Sequence, residues 1–255
     1  MTPHKCRRFE GKVALVTAST QGIGLAIVRR LAEEGAEVVI CSRKQKAVDE
    51  RVAEFAKEGL KVSGIACHVG DEKQLEKLVE FVKEKHGRLD VLVSNAAVNP
   101  TSGAIADVSS DAMDKIMAIN VKSALLLVQK ALPLLGEGSS IVFISSYTAY
   151  APPFPISYYG VSKTALLGLT KALANELGPC QIRVNAVCPG IVPTKFAGAL
   201  VATESLREKV VEPFILKRLG RAEDMAAGVA FLASDDASYI TGESLIIAGG
   251  ANCRL

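Results

Sequence analysis

Lys12-Val13-Ala14-Leu15-Val16-Thr17-Ala18-Ser19-Thr20-Gln21-Gly22-Ile23-Gly24 opens as an apolar run and closes on two glycines one residue apart. The run reads as a buried strand. The next segment, Leu25 to Glu34, carries Ile27, Val28 and Leu31 at helical spacing and stops at Gly35. Strand, glycine loop and helix in that order make a pyrophosphate site. Glycine lets the backbone approach the phosphates, and the helix N-terminus holds them through free N–H groups and its dipole. A glycine pair alone is weak evidence; its place after the first strand and at the start of a helix gives it weight.

Working outward, the same alternation continues. Strands are expected at Glu37–Cys41, Val62–Cys67, Asp90–Ser94, Ser140–Ser145, Ile182–Val187 and Ser244–Ala248. Between them lie helical stretches at Lys46–Glu58, Glu72–His86, Asp111–Leu135, Tyr158–Leu177, Glu204–Phe214 and Ala222–Leu232, the long one containing Asn120 and bending near Pro133. Most strands are continuous apolar runs rather than alternating ones, as expected of a parallel sheet covered on both faces. The expected fold is α/β: one doubly wound Rossmann-type domain over 1–255, with a seven-stranded, mainly parallel sheet. No linker, repeat or low-complexity segment divides it.

Composition supports this and narrows the function. The chain is 49% hydrophobic and 5% aromatic, with no Trp, so its core is aliphatic. A net charge of +3 is too small to argue for nucleic acid or an anionic membrane as main partner. No uninterrupted apolar run reaches the ~18 residues of a membrane span, and the basic N-terminus is a poor secretory signal. The six cysteines form no CxxC pair and read as reduced, mostly buried small hydrophobes. No metal site is expected.

The chemistry is expected at Ser157-Tyr158-Tyr159-Gly160-Val161-Ser162-Lys163. Tyr159 and Lys163 stand four apart, on one helix face. A free phenol loses its proton near pH ~10, and a fixed positive charge nearby favours the phenolate. Such a tyrosine can give a proton to a developing alkoxide or take one from an alcohol. Tyr158 is a poorer acid, because its partner four residues on is the uncharged Ser162.

With these elements in this order, the sequence resembles the short-chain dehydrogenase/reductase family from about Gly11 to Gly250. The family's phosphate fingerprint is Thr-Gly-x-x-x-Gly-x-Gly; here Ala18 replaces its first glycine, and the turn is expected to survive with φ below zero at Ala18. The resemblance implies a cofactor contact surface of Ala18, Ser19, Thr20, Gln21, Gly22, Ile23 and Gly24. It adds His68 and Val69 after the third strand, His68 standing where the family often has an adenine-contacting Asp. It also adds Asn95, Ala96 and Ala97 after the fourth, with Asn95 bonding backbone groups there. Pro189, Gly190, Val192 and Thr194 match the element that meets the nicotinamide carboxamide. The end of the second strand reads Cys41-Ser42-Arg43-Lys44, with no acid to bind a ribose 2′-hydroxyl. Ser42, Arg43 and Lys44 suit a 2′-phosphate, so NADP(H) is expected, with Arg43 the main discriminator.

Ser146 lies thirteen residues before Tyr159, the family's separation for its catalytic serine, and Ser145 is its competitor. The resemblance implies that Ser146 orients the carbonyl oxygen and Tyr159 exchanges the proton. Lys163 depresses the tyrosine pKa and bonds the nicotinamide ribose, and Asn120 holds a water linking Lys163 to solvent. The activity implied is hydride transfer between a nicotinamide and a carbonyl or alcohol carbon. The alternative is a dinucleotide-binding sensor or scaffold without turnover.

The substrate pocket is expected from Ser146, Tyr159 and two loops: Tyr150 and Phe154 from one; Phe196, Leu200 and Phe214 from the substrate loop at about 191–219. These groups suit a largely apolar small molecule. Within the family the chain looks like the peroxisomal NADP-dependent carbonyl reductases and their tropinone-reductase-like plant relatives. The terminal Cys253-Arg254-Leu255 is close to the Ser-Lys-Leu import address, so a peroxisomal location is expected, with cytoplasm as the alternative and an import receptor as partner. The Tyr158–Leu177 helix is apolar on more than one side, which predicts a symmetric homo-oligomer, by resemblance a homotetramer.

Overall fold

The computed structural model describes residues 6–196 and 203–251. Seven strands form one sheet: β1 (Val13–Val16), β2 (Glu37–Ser42), β3 (Val62–Ala66), β4 (Leu89–Ser94), β5 (Leu135–Ile144), β6 (Arg183–Pro189) and β7 (Ser244–Ile247). Their order is β3-β2-β1-β4-β5-β6-β7 and every pairing is parallel. The sequence order reverses between β1 and β4. There the crossovers leave to opposite sides, opening a crevice beyond the carboxyl ends of the strands.

Both faces of the sheet are buried, which is why the strands are continuously apolar. Leu15, Leu92, Ile141 and Phe143 pack on one side, and Ala14, Val16, Val93 and Val142 on the other. The first side is covered by α3 (Glu72–His86), α5 (Ser123–Ala131) and α6 (Ser157–Leu177), through residues such as Leu78, Leu127 and Leu166. The second is covered by α1 (Gly22–Glu33), α2 (Gln45–Lys57) and α8 (Ala222–Ala233), through Ile27, Phe55 and Val229. Helix α7 (Glu204–Val211) follows β6. Of the cysteines, Cys41, Cys67 and Cys188 are buried, while Cys6 and Cys180 are exposed.

Helix α3 keeps its expected bounds because its caps are explicit. The Asp71 carboxylate accepts from the N–H groups of Lys73 and Gln74, and Gly87 ends the helix at φ 69°. The long helix expected over Asp111–Leu135 is instead compound. It consists of α4 (Ser110–Met117), a π-helical turn over Ala118–Lys122, then α5, with Pro133 in the short 3₁₀ turn Leu132–Leu134. The 110–134 run is long and apolar enough by composition to span a membrane. It is a core helix: Ile116, Leu127, Val128 and Ala131 are buried, and it packs on α3 and α6.

Candidate active site

A cleft of about 580 Å³ opens at the carboxyl ends of β1, β4, β5 and β6. At one end it is lined by Ala18, Gln21, Gly22, Ile23 and Gly24, at the other by Ser146, Tyr159 and Lys163. The sequence separates these groups by more than a hundred residues; the parallel sheet brings them together.

The glycine end has the form of a cradle. A Cβ on Gly24 would lie 2.6 Å from Asn95 Nδ2 and 2.7 Å from the Ala18 carbonyl oxygen, and Gly22 sits at φ 58°. Asn95 Nδ2 donates to the carbonyls of Thr17 (3.0 Å) and Ala18 (3.1 Å), as expected. Gln21 caps α1 without a side-chain bond, and the first turn holds no acid. Free N–H groups and an uncancelled dipole suit a pyrophosphate, so the residues present fit a dinucleotide. Thr194 lies over this loop, its methyl 3.1 Å from where a Gly22 Cβ would stand.

Two expectations at this end are corrected. Ala18 adopts φ 50°, not a negative value. The loop demands a left-handed residue, and the added methyl is accommodated under strain. Such a residue costs roughly 1–2 kcal/mol relative to glycine. Ala18→Gly is therefore expected to raise the thermal midpoint by about 2–8 °C; a lowered midpoint in a melting experiment would show that the loop carries no strain. Ser19 is fully buried. Its hydroxyl donates to Val16 O (2.7 Å) and accepts from Cys41 N (3.3 Å), so it ties β1 to β2 and offers a ligand no surface.

Thr20 uses its carbonyl to accept from Arg51 Nε (3.1 Å) and does not line the cleft. Asn95, Ala97, Pro189, Gly190, Val192 and Thr194 do; Ala96 does not. Ser42, Arg43, Lys44, His68 and Val69 lie beside the cleft at the ends of β2 and β3, outside its lining. Arg43 is exposed and makes no ion pair among the described residues. His68 Nδ1 accepts from Gly70 N (3.1 Å), leaving Nε2 as the free ring nitrogen.

At the chemical end, Lys163 Nζ lies 5.6 Å from the centre of the Tyr159 ring and donates to Ile144 O (2.8 Å). Both side chains are buried in one environment. Burial raises the phenol of Tyr159, partly opposed by a hydrogen bond from Ser146, and lowers Lys163 to about 8. The expected depression of the phenol by Lys163 is not found: desolvation sets the direction, and the hydrogen bond from Ser146 is what opposes it. Ser146 accepts from Thr148 N (3.1 Å) and Thr148 Oγ1 (2.8 Å). Its competitor Ser145 donates to Lys163 O (2.9 Å) and serves the helix instead.

Asn120 sits in the π-helical turn and is buried. Its Oδ1 accepts from Val98 N (2.8 Å), while Nδ2 donates to Val98 O (3.0 Å) and Ser162 Oγ (3.0 Å). The side chain expected to hold a water is thereby engaged. Ser162 in turn donates to Tyr159 O (2.7 Å), so Asn120 and Ser162 brace the turn that carries the phenol. Sequence reasoning gave Ser162 no role; a serine three residues after Tyr159 in a helix can return its hydroxyl to that residue's carbonyl, and this was the available signal.

The pocket walls differ from expectation. Phe196 lines the cleft and its ring lies 5.6 Å from that of Tyr159. Phe154 is 76% exposed, and neither it nor the half-buried Tyr150 is in the lining. Phe214 is buried beside a separate cavity of about 270 Å³ and packs edge-on against Tyr147. Tyr147, Ile156, Asn99 and Thr101 take the expected places of these rings. Leu200 and the tail Cys253-Arg254-Leu255 lie outside the described residues.

A family model described as enoyl-(acyl carrier protein) reductase matches residues 17–252. Tropinone reductase-like 3 of Erythroxylum coca is 56% identical over 249 residues, covering 98% of this chain and 96% of the relative. The chain belongs to the short-chain dehydrogenase/reductase family. Human dehydrogenase/reductase SDR family member 4 is 50% identical over 246 residues, covering 96% of this chain and 88% of the relative. A short-chain dehydrogenase of Burkholderia cenocepacia, solved in complex with NADP, superposes with a TM-score of 0.88 at 36% identity, covering 96% of this chain and 99% of that one. As a short-chain dehydrogenase/reductase, the protein is a nicotinamide-dependent oxidoreductase that interconverts a carbonyl compound and its alcohol.

Proposed function

We propose that the protein is an NADP(H)-dependent carbonyl reductase and alcohol dehydrogenase acting on a largely apolar small molecule. The observation that carries this reading is the convergence of Ser146, Tyr159 and Lys163 at one end of a cleft whose other end is the glycine cradle. In reduction, Ser146 donates a hydrogen bond to the carbonyl oxygen, and Tyr159 passes its phenolic proton to the same atom. Lys163 supplies the positive charge that offsets the phenolate left behind. Asn120, through Ser162, holds the Tyr159 turn in register. A bound nicotinamide would supply or take the hydride. Gly22, Gly24 and the start of α1 would hold its pyrophosphate, and Pro189, Gly190, Val192 and Thr194 its nicotinamide end.

Preference for the phosphorylated dinucleotide rests on Arg43, with Ser42 and Lys44 beside it, and is supported by the Burkholderia relative's complex with NADP. An apolar substrate is supported by Pro155, Ile156, Val192 and Phe196 in the cleft wall. The test is a panel of aromatic aldehydes, aryl ketones and cyclic ketones with NADPH, followed at the nicotinamide absorbance. Turnover of at least one compound is expected; none across the panel would refute the proposal.

The same reading includes a homotetramer. Ala165, Gly168 and Ala172 share one face of α6, where small side chains let another helix approach, and Val161 beside them is 42% exposed. Light scattering at micromolar concentration is expected to give four times the 26.9 kDa chain mass; a monomer would contradict it. The terminal Cys253-Arg254-Leu255 supports peroxisomal import. A fluorescent fusion at the N-terminus should be punctate, and diffuse once the last three residues are removed; diffuse signal from both would point to the cytoplasm.

A further inference from the structure

We propose that Thr148 is a positioning residue that aims the Ser146 proton at the substrate oxygen. The inference rests on the proposed role of Ser146 and extends it. A serine hydroxyl has one proton to give and two lone pairs to receive. Thr148 fills both lone pairs of Ser146 Oγ, one with its backbone N–H (3.1 Å) and one with its hydroxyl (2.8 Å). The Ser146 proton is then the only part of that hydroxyl left to act, and Ser146 lines the same end of the cleft as Tyr159. Without the Thr148 hydroxyl, one lone pair is free and the Ser146 rotor has a second orientation in which its proton turns away from the cleft.

The surroundings hold Thr148 in place. It is 2% exposed and lies in the 3₁₀ turn Tyr147–Ala149 directly after β5. That turn is tied to the Tyr159 helix, since Thr164 Oγ1 donates to Ala149 O (2.6 Å). Close approach is possible because residue 160 is glycine: a Cβ there would stand 3.0 Å from the Thr148 carbonyl oxygen and 2.6 Å from Pro152 Cβ. The turn that donates to Ser146 and the helix that carries the phenol are therefore held against one another. Receiving two hydrogen bonds also polarises the Ser146 O–H, making it a stronger donor.

The test is a double-mutant cycle with the compound turned over fastest in the NADPH panel. Thr148→Val keeps shape and removes the hydroxyl; it is expected to lower kcat about tenfold, the value of one hydrogen bond, with KM changed less than about twofold. Thr148→Ser should recover most of the loss. In the Ser146→Ala background, Thr148→Val should cost nothing more, because its target is gone. An equal loss in both backgrounds, or no recovery by serine, would overturn the proposal while leaving the role of Ser146 intact. If Ser146→Ala itself turns over at the wild-type rate, the role of Ser146 fails and this inference with it. Should the valine variant not fold, Thr148→Ala enters the same cycle with the same criteria.

Discussion

Tyr159→Phe is expected to lower kcat for carbonyl reduction by about 10²- to 10⁴-fold, the range ascribed to a positioned proton donor. The substitution isolates the hydroxyl. Tyr159 is 8% exposed and its ring packs against Phe196, and phenylalanine keeps that ring and its contact. Cofactor affinity and thermal midpoint should therefore stay close to wild type, so that the loss lies in the chemical step. The pH dependence follows from the directions of the two neighbouring groups. Burial raises the phenol, so it remains protonated through neutral pH, the form that reduction requires. Alcohol oxidation requires the phenolate instead, so its kcat/KM should climb as pH rises. Lys163 titrates at about 8 and gives up its charge above that value, which weakens the support for the phenolate and flattens the climb. The rising limb should be absent in Tyr159→Phe. Turnover of the variant at the wild-type rate would remove Tyr159 from the mechanism.

Much of this was legible in the sequence because the relevant physics is local. Continuous apolar strands separated by helical stretches specify a parallel sheet with both faces covered, and the Glu72–His86 bounds expected of α3 are the ones it has. The four-residue spacing of Tyr159 and Lys163 fixes a common helix face before any tertiary contact is known. What failed depended on non-local packing. Ser19 has the same composition as a ligand-facing hydroxyl, but the pairing of β1 and β2 buries it between them. Ala18 takes a positive φ because the loop must return toward Asn95, a constraint set by β4 rather than by its neighbours. The break in the long helix at Ala118–Lys122 cannot be seen in an apolar pattern, though an Asn at position 120 hinted at it. Phe154 and Phe214 look alike as pocket residues in sequence; one lies on the surface and the other against Tyr147, because loop geometry decides where a ring points. The direction of the Tyr159 shift was also misjudged, since a single cation was weighed without the desolvation of the cleft that holds it.

Arg43→Ala should weaken NADPH by on the order of 10- to 10²-fold, the range for hydrogen bonds to a charged group. NADH should change less than about twofold. The selectivity of the loss is the point. Arg43 follows β2, whose carboxyl end lies between β1 and β3 beside the phosphate loop, where the second ribose of a bound dinucleotide is read. Its guanidinium is exposed and pairs with no carboxylate among the described residues, so alanine there orphans no buried group and leaves the fold undisturbed. A 2′-phosphate presents charge and acceptors that match the planar fork; a 2′-hydroxyl does not. Lys44 precedes α2 and brings a point charge without that geometry, so Lys44→Ala should discriminate between the two dinucleotides less strongly. Because the site is open to solvent, the advantage of NADPH should also shrink with rising salt in the wild type, and the alanine variant should lack most of that dependence. Equal losses for NADPH and NADH on Arg43→Ala, or a preference unmoved by salt, would place the discriminator elsewhere, with Ser42 the next residue to change.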